Sequence, residues 1–347
     1  MIKDILIKNF KIIKNKKFNF HPNLNLIIGP NGSGKTSLLE AIYYSFYFRS
    51  FSIYNSKFLI NKYEDFLFIE TNFIKEGLDN NIKVYYDGIK KNILLNDNNI
   101  KKISEVYSIL NVIVFSHYDF SIIENKLYRD RFFYKLISFY RMDFLDYLNK
   151  YKKILNQKRI LLKSDNLDIK LLDIYNKNLI ELSEKLSKIK EQFLKEYINI
   201  FNSLLKKLEI KKKFSIDIYK FKNKEYWEEL FSSIKEKEIE DKKILEGFHK
   251  EDINFYKDNI ILKNYSSEGE KKLFIFLLKY SEFLLYKKKT NNIIFLFDDI
   301  ISLYDEKNRN LVFNLIKEID NYQKFITSTE LIDYFNSKKD KNIINLT

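Results

Sequence analysis

The chain has no cysteine, two prolines and seven glycines in 347 residues. Without cysteine there are no disulfides and no thiolate metal sites. No Gly/Ser-rich or Pro-rich linker exists. Arginine is scarce too: six, against 55 lysines. Where a flexible point charge suffices this chain uses lysine, so the arginines at 49, 129, 131, 141, 159 and 309 are candidates for positions that want a planar, bidentate fork. The three histidines, at 21, 117 and 249, do not cluster in sequence. No apolar run approaches the roughly 18 residues that span a bilayer. The longest, Leu273 to Leu278 and Ile293 to Phe297, suit a buried helix or strand. The N-terminus, MIKDILIKNF, alternates like a strand and lacks the apolar core of a signal peptide. These absences point to a cytoplasmic protein with no membrane partner.

What is present is ordinary for a globular chain: 45% hydrophobic and 31% charged residues, with 31 Phe and 25 Tyr to build an aromatic core. The length allows one large domain or two. The net charge of +14 invites a polyanion, most often nucleic acid. The same lysines, spread evenly with Ile and Asn, also read as a general compositional bias. Charge alone leaves both readings open.

Residues 1 to about 115 alternate strand and helix patterns. Leu24 to Ile28, Phe66 to Phe73, Ile82 to Tyr86, Ile93 to Leu95 and Val112 to Phe115 read as strands, with a hairpin turn at Asp87-Gly88. From Leu127 to Glu209 the period becomes helical. Leu172, Tyr175, Leu179, Leu182, Leu186, Ile189 and Phe193 alternate spacings of three and four, the seam of packed helices. A break at Ser164-Asp165-Asn166 supplies capping residues, which predicts two long antiparallel helices. Beyond them, Phe214 to Phe221 reads as a strand, Tyr226 to Lys243 as a charged helix, and Ile253 to Leu262 as a hairpin. Glu270 to Tyr286 reads as a helix, and Ile293 to Phe297, Lys324 to Thr327 and Ile343 to Leu346 as strands. The expected architecture is an α/β body in two sequence halves with a helical insertion: 1–120, then 121–212 inserted, then 213–347.

Three of the seven glycines fall in Gly29-Pro30-Asn31-Gly32-Ser33-Gly34-Lys35-Thr36, followed by Ser37. This is G-x-x-x-x-G-K-[ST] between an apolar strand and a helix, the context of a P-loop. Glycines let successive N–H groups turn toward phosphate oxygens, and the helix N-terminus adds its dipole. Lys35 is expected to reach the β- and γ-phosphates of ATP, and Thr36 to ligate Mg²⁺. A second motif is Ile293 to Asp299, an apolar strand ending in two acids. Asp298 is expected to hold Mg²⁺, and Asp299 to orient or deprotonate the attacking water. A third, Ser266-Ser267-Glu268-Gly269-Glu270, opens an apolar helix 31 residues before Asp298. It reads either as an anion-binding turn or as a plain helix cap. No Ser/His/Asp triad or metal-ligand cluster competes with these motifs.

In this order the motifs resemble an ABC-type P-loop ATPase head, with Ser267 and Gly269 in its signature. The 263 residues from Lys35 to Asp298 hold a short helical insertion, which resembles the RecF family of DNA repair ATPases. Further stretches are similar to it: Asn9-Phe10-Lys11, Glu40 to Tyr43, Arg49-Ser50-Phe51, Val114 to Asp119, Arg129 to Phe132, Tyr151 to Lys163 and Gly247 to Asp252. There are departures. His117 and Tyr118 stand where the family has Pro and Glu, and Leu303-Tyr304 replaces Glu-Leu before Asp305. Glu270 and Lys271 replace polar amides, and glycine and proline are missing near Glu124 and Lys126.

The resemblance implies an ATP-dependent homodimer with two nucleotides in its interface. Lys35, Thr36, Asp298 and Asp299 act in cis, while Ser267 and Gly269 act on the partner's nucleotide. Asp305 sits at the family's D-loop aspartate and Thr329 near its switch position. It further implies slow Mg²⁺-dependent ATP hydrolysis and non-specific binding of duplex DNA near single-strand gaps. The implied partners are RecO and RecR, with RecA loading as the outcome. Two other functions fit some of the motifs. An SMC-like chromosome-structure ATPase would carry longer coils than this heptad segment. An ABC head not acting on DNA would have a shorter insertion and a switch histidine.

Overall fold

The computed structural model describes residues 1–100, 109–299, 306–330 and 341–346. They form two compact units, Met1–Ser121 with Ser267–Thr347, and Ile122–Ser266. The chain opens with β1 (Ile2–Phe10), β2 (Ile13–Asn19), β3 (Leu24–Ile28), α1 (Lys35–Tyr47), β4 (Leu67–Lys75), β5 (Leu78–Tyr86), β6 (Lys91–Leu95), β7 (Asn98–Asn99) and β8 (Asn111–Phe115). It continues through α2 (Ser121–Glu124), α3 (Lys126–Tyr140), α4 (Asp143–Leu162), α5 (Ile169–Lys207), β9 (Phe214–Ile216), α6 (Lys224–Glu240), β10 (Phe255–Lys257), β11 (Ile260–Ile261) and α7 (Leu262–Tyr265). The described elements after that are α8 (Glu268–Lys287), β12 (Ile293–Phe297), α9 (Glu306–Lys317), β13 (Gln323–Ser328) and β14 (Lys341–Asn345).

The first unit holds two sheets. One is a parallel sheet in the order β14-β3-β13-β12-β8. Its strands β8 and β12 are buried at every position, as their unbroken apolar runs require. The other is antiparallel, in the order β2-β1-β4-β5-β6-β7. Here burial alternates: Leu67, Ile69, Thr71 and Phe73 of β4 point inward and their neighbours are partly open. Helix α1 shares a core with both sheets. Leu38, Leu39, Ile42 and Phe46 lie in one cluster with Ile5, Ile69 and Val84 of the antiparallel sheet and Ile27, Val112 and Leu296 of the parallel one. All of α1 except Thr36 is buried, which suits a helix that is apolar most of the way round. Each fully buried large side chain such as Phe46 contributes about 2–3 kcal/mol.

In the second unit α4 and α5 are joined by six residues. The predicted seam is buried along α5 at Leu172, Leu179, Leu182, Leu186, Ile189 and Phe193. Three points differ from the sequence reading. First, the segment before α5 holds a separate helix, α3, because Arg141 takes an extended backbone and forks onto Asp143 at 3.0 and 2.6 Å. Second, the cap of α5 is Asp168, whose carboxylate accepts from Leu171 N at 3.0 Å, not the Ser164–Asn166 break. Third, the strand from Phe214 stops at Ile216. Tyr219 is drawn aside so that its hydroxyl donates to Glu251 at 2.5 Å and lies 3.0 Å from the Ser187 hydroxyl.

The second boundary also differs. Residues 213–266, assigned to the head from sequence, belong to the compact unit of the helices. Backbone and buried charge explain why. β9 pairs with β10, Lys222 N donates to Ser187 of α5 at 2.9 Å, and Trp227 is 1% exposed. Lys158 of α4 pairs with Glu238 of α6 at 2.6 Å, both buried. Glu251 collects Lys190 and Lys222 at 3.4 and 2.8 Å. The arginine expectation is met again at Arg129, which forks onto both oxygens of Asp252 at 2.8 and 2.7 Å and donates to the carbonyls of Ile122 and Ile123.

Candidate functional site

β3 delivers the chain to Gly29, and α1 begins at Lys35. The loop between them needs its glycines. Gly34 has φ +98°, and a Cβ there would lie 3.0 Å from Cδ1 of Ile12. A Cβ at Gly29 would lie 2.3 Å from the carbonyl oxygen of Leu346. Lys35 folds back over the loop and donates to the carbonyls of Gly29 at 2.6 Å and Pro30 at 2.9 Å. Among the described residues the buried Ser33 hydroxyl has no hydrogen-bond partner. An ammonium resting on main-chain carbonyls beside an unsatisfied hydroxyl suits an incoming polyanion, which can satisfy both.

The ends of β12 and β13 meet this loop. Thr36 Oγ1 lies 3.0 Å from both carboxylate oxygens of Asp298. The Thr327 hydroxyl donates to Asp298 at 2.9 Å and accepts from the Asp299 N–H at 2.9 Å. Asp298 is 3% exposed, and burial pushes its carboxyl above the usual range, against the donors Thr327 and Thr36 and the charge of His117. Asp299 has φ +50°, the left-handed region, and is exposed at the strand end. A cavity of about 320 Å³ opens here, lined among others by Asn31, Gly32, Gly34, Lys35, Thr36, Ser37, His117, Asp298, Asp299, Thr327 and Thr329. A second groove of about 510 Å³ adjoins it, where Pro30, Asn31, Gly32 and Ser33 face Ile12 to Lys16 and Phe18. Among the described residues no group of three or more acidic or histidine side chains is placed to hold a metal ion.

Ser267 and Gly269 do not line the cavity of their own chain. Ser267 is exposed and caps α8. Its hydroxyl accepts from Glu270 N at 3.3 Å, and the Glu270 carboxylate accepts from Ser267 N at 3.0 Å. Gly269 lies in the first turn of α8. Asp305 and Leu303-Tyr304 fall outside the described residues.

Sequence reasoning assigned no role to Thr327, Ile12 or His117. Thr327 was legible as the end of a strand. Its grip on two aspartates depends on β12 and β13 lying side by side, which no local pattern encodes. Other quoted stretches do converge. Glu40 of α1, fully buried, pairs with the Lys11 ammonium and accepts from the hydroxyls of Ser50 and Ser52, the latter at 2.6 Å. His249 belongs to the helical unit. Its Nδ1 is 3.0 Å from the Tyr151 hydroxyl, and burial, with the nearby cations Lys250, Lys126, Arg159 and Lys158, lowers its pKa to about 4.

Among the described residues no helix is long and apolar enough to cross a membrane. Residues 1–343 match the family described as RecF/RecN/SMC N terminal domain. The DNA replication and repair protein RecF of Clostridium perfringens (strain 13 / Type A) is 29% identical over 342 residues, covering 96% of this chain and 94% of that protein. Its counterpart from Clostridium botulinum (strain Alaska E43 / Type E3) is 30% identical over 353 residues, covering 97% and 96%. The fold is similar to a structure of the recombination mediator protein RecF-ATP in the RecFOR pathway. The TM-score is 0.87 at 25% identity, over 96% of this chain and 92% of that one. An Smc head domain from Pyrococcus furiosus matches with a TM-score of 0.52 at 18% identity, a likeness of fold alone.

Proposed function

Because the chain belongs to the RecF family, within the RecF/RecN/SMC N-terminal domain group, we propose that it is an ATP-dependent DNA-binding mediator of repair and replication. The observation that carries the nucleotide reading is the meeting of Lys35, Thr36 and Asp298 around one cavity, from segments 262 positions apart in sequence. Lys35 exchanges its two carbonyl partners for the β- and γ-phosphates. The Ser33 hydroxyl and the loop N–H groups complete the cradle. Thr36 and Asp298 are the side chains that would hold Mg²⁺. Two protein ligands suit an ion that keeps waters and takes phosphate oxygens for the rest. When bound, that ion neutralises charge on the β- and γ-phosphates. Asp299, fixed through its N–H to Thr327, orients the attacking water.

Ser267, exposed, and Gly269, half-buried, at the start of α8 are available to a second copy of the chain. Two heads would enclose two nucleotides and clamp duplex DNA near single-strand gaps by phosphate contacts. RecO and RecR are the partners this reading assigns, and hydrolysis is slow and serves release. The test is ATP-dependent dimerisation of the parent, Lys35→Met and Ser267→Arg. Both variants are expected to stay monomeric with ATP. Dimerisation of either one at the parent's ATP concentration would falsify the shared-site arrangement.

A further inference from the structure

β8 and β12 are parallel neighbours, with Phe115 opposite Phe297 and the Asp298 N–H donating to Phe115 O at 2.8 Å. His117 and Asp299 therefore each stand two residues beyond one paired position, at the same end of adjacent strands. Both line the 320 Å³ cavity with Lys35, Thr36 and Asp298. The turn that carries His117 is rigidly built. Ser116 N donates to the Asp119 carboxylate at 2.8 Å, Asp119 N donates to Ser116 O at 3.2 Å, and Asp119 accepts from Lys279 of α8 at 3.1 Å in the buried interior. The imidazole itself is exposed, resting on the Tyr118 ring with centroids 3.8 Å apart. On the nucleotide reading the P-loop backbone would cradle the inner phosphates, and the ends of β8 and β12 supply the lining left for the terminal one.

We infer that His117 hydrogen-bonds the terminal phosphate of the bound nucleotide, so that this side chain makes the site favour a nucleoside triphosphate over a diphosphate. The inference rests on the reading of the cavity as a nucleotide site. It assigns a ligand contact to a position where the resembling family carries proline, whose side chain has no hydrogen to donate. A donor to a charged phosphate contributes more than a neutral hydrogen bond, and an ADP complex has no partner for it.

The experiment is equilibrium binding of ATP and of ADP, each with Mg²⁺, to the full chain and to His117→Ala, His117→Asn and Lys35→Met. His117→Ala is expected to weaken ATP about tenfold or more while moving ADP less than about twofold. His117→Asn, which keeps an N–H donor, recovers part of the loss. Lys35→Met weakens both nucleotides. If His117→Ala binds both like the parent, or loses both equally, His117 does not read the terminal phosphate. If Lys35→Met also binds both like the parent, the cavity is not a nucleotide site at all. Unchanged ADP affinity in His117→Ala shows at once that the variant is folded.

Discussion

A methyl group at position 29 has nowhere to go. It would press on the backbone oxygen of Leu346 at 2.3 Å, and main chain cannot swing aside as a side chain can. Gly29→Ala is expected to cost about 2 kcal/mol in urea unfolding and to weaken ATP binding, since the Gly29 carbonyl supports Lys35. An unchanged unfolding midpoint would show that β14 yields. At His249 the effect is one of pH. Its folded pKa of about 4 lies below the ordinary 6.5, so the unfolded chain takes up a proton that the folded ring refuses. Stability is therefore complete above pH 6.5 and drains away as pH falls toward 4. Between pH 7 and 5 the parent should lose about 2 kcal/mol from this group, and His249→Asn should not. Equal losses in the two proteins would clear His249. These two residues also mark what sequence can convey. Gly29 was legible, because a P-loop in a glycine-poor chain is a local signal. The burial of His249 under Tyr151 was not, because the partner lies 98 positions away.

Among elements, α4 and α6 share a buried ion pair. Lys158 and Glu238 are about 0% and 1% exposed, and Lys158 also lies 4.8 Å from the Phe231 ring centre. Removing one charge strands the other in the interior. Lys158→Met alone is expected to cost about 3–5 kcal/mol, and Lys158→Met with Glu238→Leu about 2 kcal/mol or less. A double variant no more stable than the single one would mean the pair is not what the elements share. The helical seam of α5 was visible as spacings of three and four. The limits of the helices were not, because Arg141 and Asp168 end and start them through side-chain bonds that resemble any other surface charge in sequence. The strand predicted to Phe221 failed for a similar reason, since a buried Glu251 competes for Tyr219.

Over the whole molecule the net charge of +14 becomes a measurable quantity. If the lysines neutralise phosphates, the logarithm of DNA affinity should fall linearly with that of salt, by about 0.9 per phosphate contact, and ATP should raise the affinity. A flat salt response would mark the lysines as composition without a partner. The two-part construction of the first unit was legible from the order of the motifs. The allocation of residues 213–266 was not, since it depends on which surface they cover and not on their own pattern. The parallel sheet has a further consequence. Its order among the described residues, β14-β3-β13-β12-β8, sets β3 between β14 and β13 and places β8 beside β12. β3 and β8 do not pair with each other; among the described residues each pairs with strands made more than 150 residues later. On the ribosome, the P-loop strand waits unpaired for residues 323–345 to emerge. A nascent chain interrupted before them has the whole GPNGSGKT stretch but neither of the strands that flank β3, so the framing of that loop waits on β13 and β14.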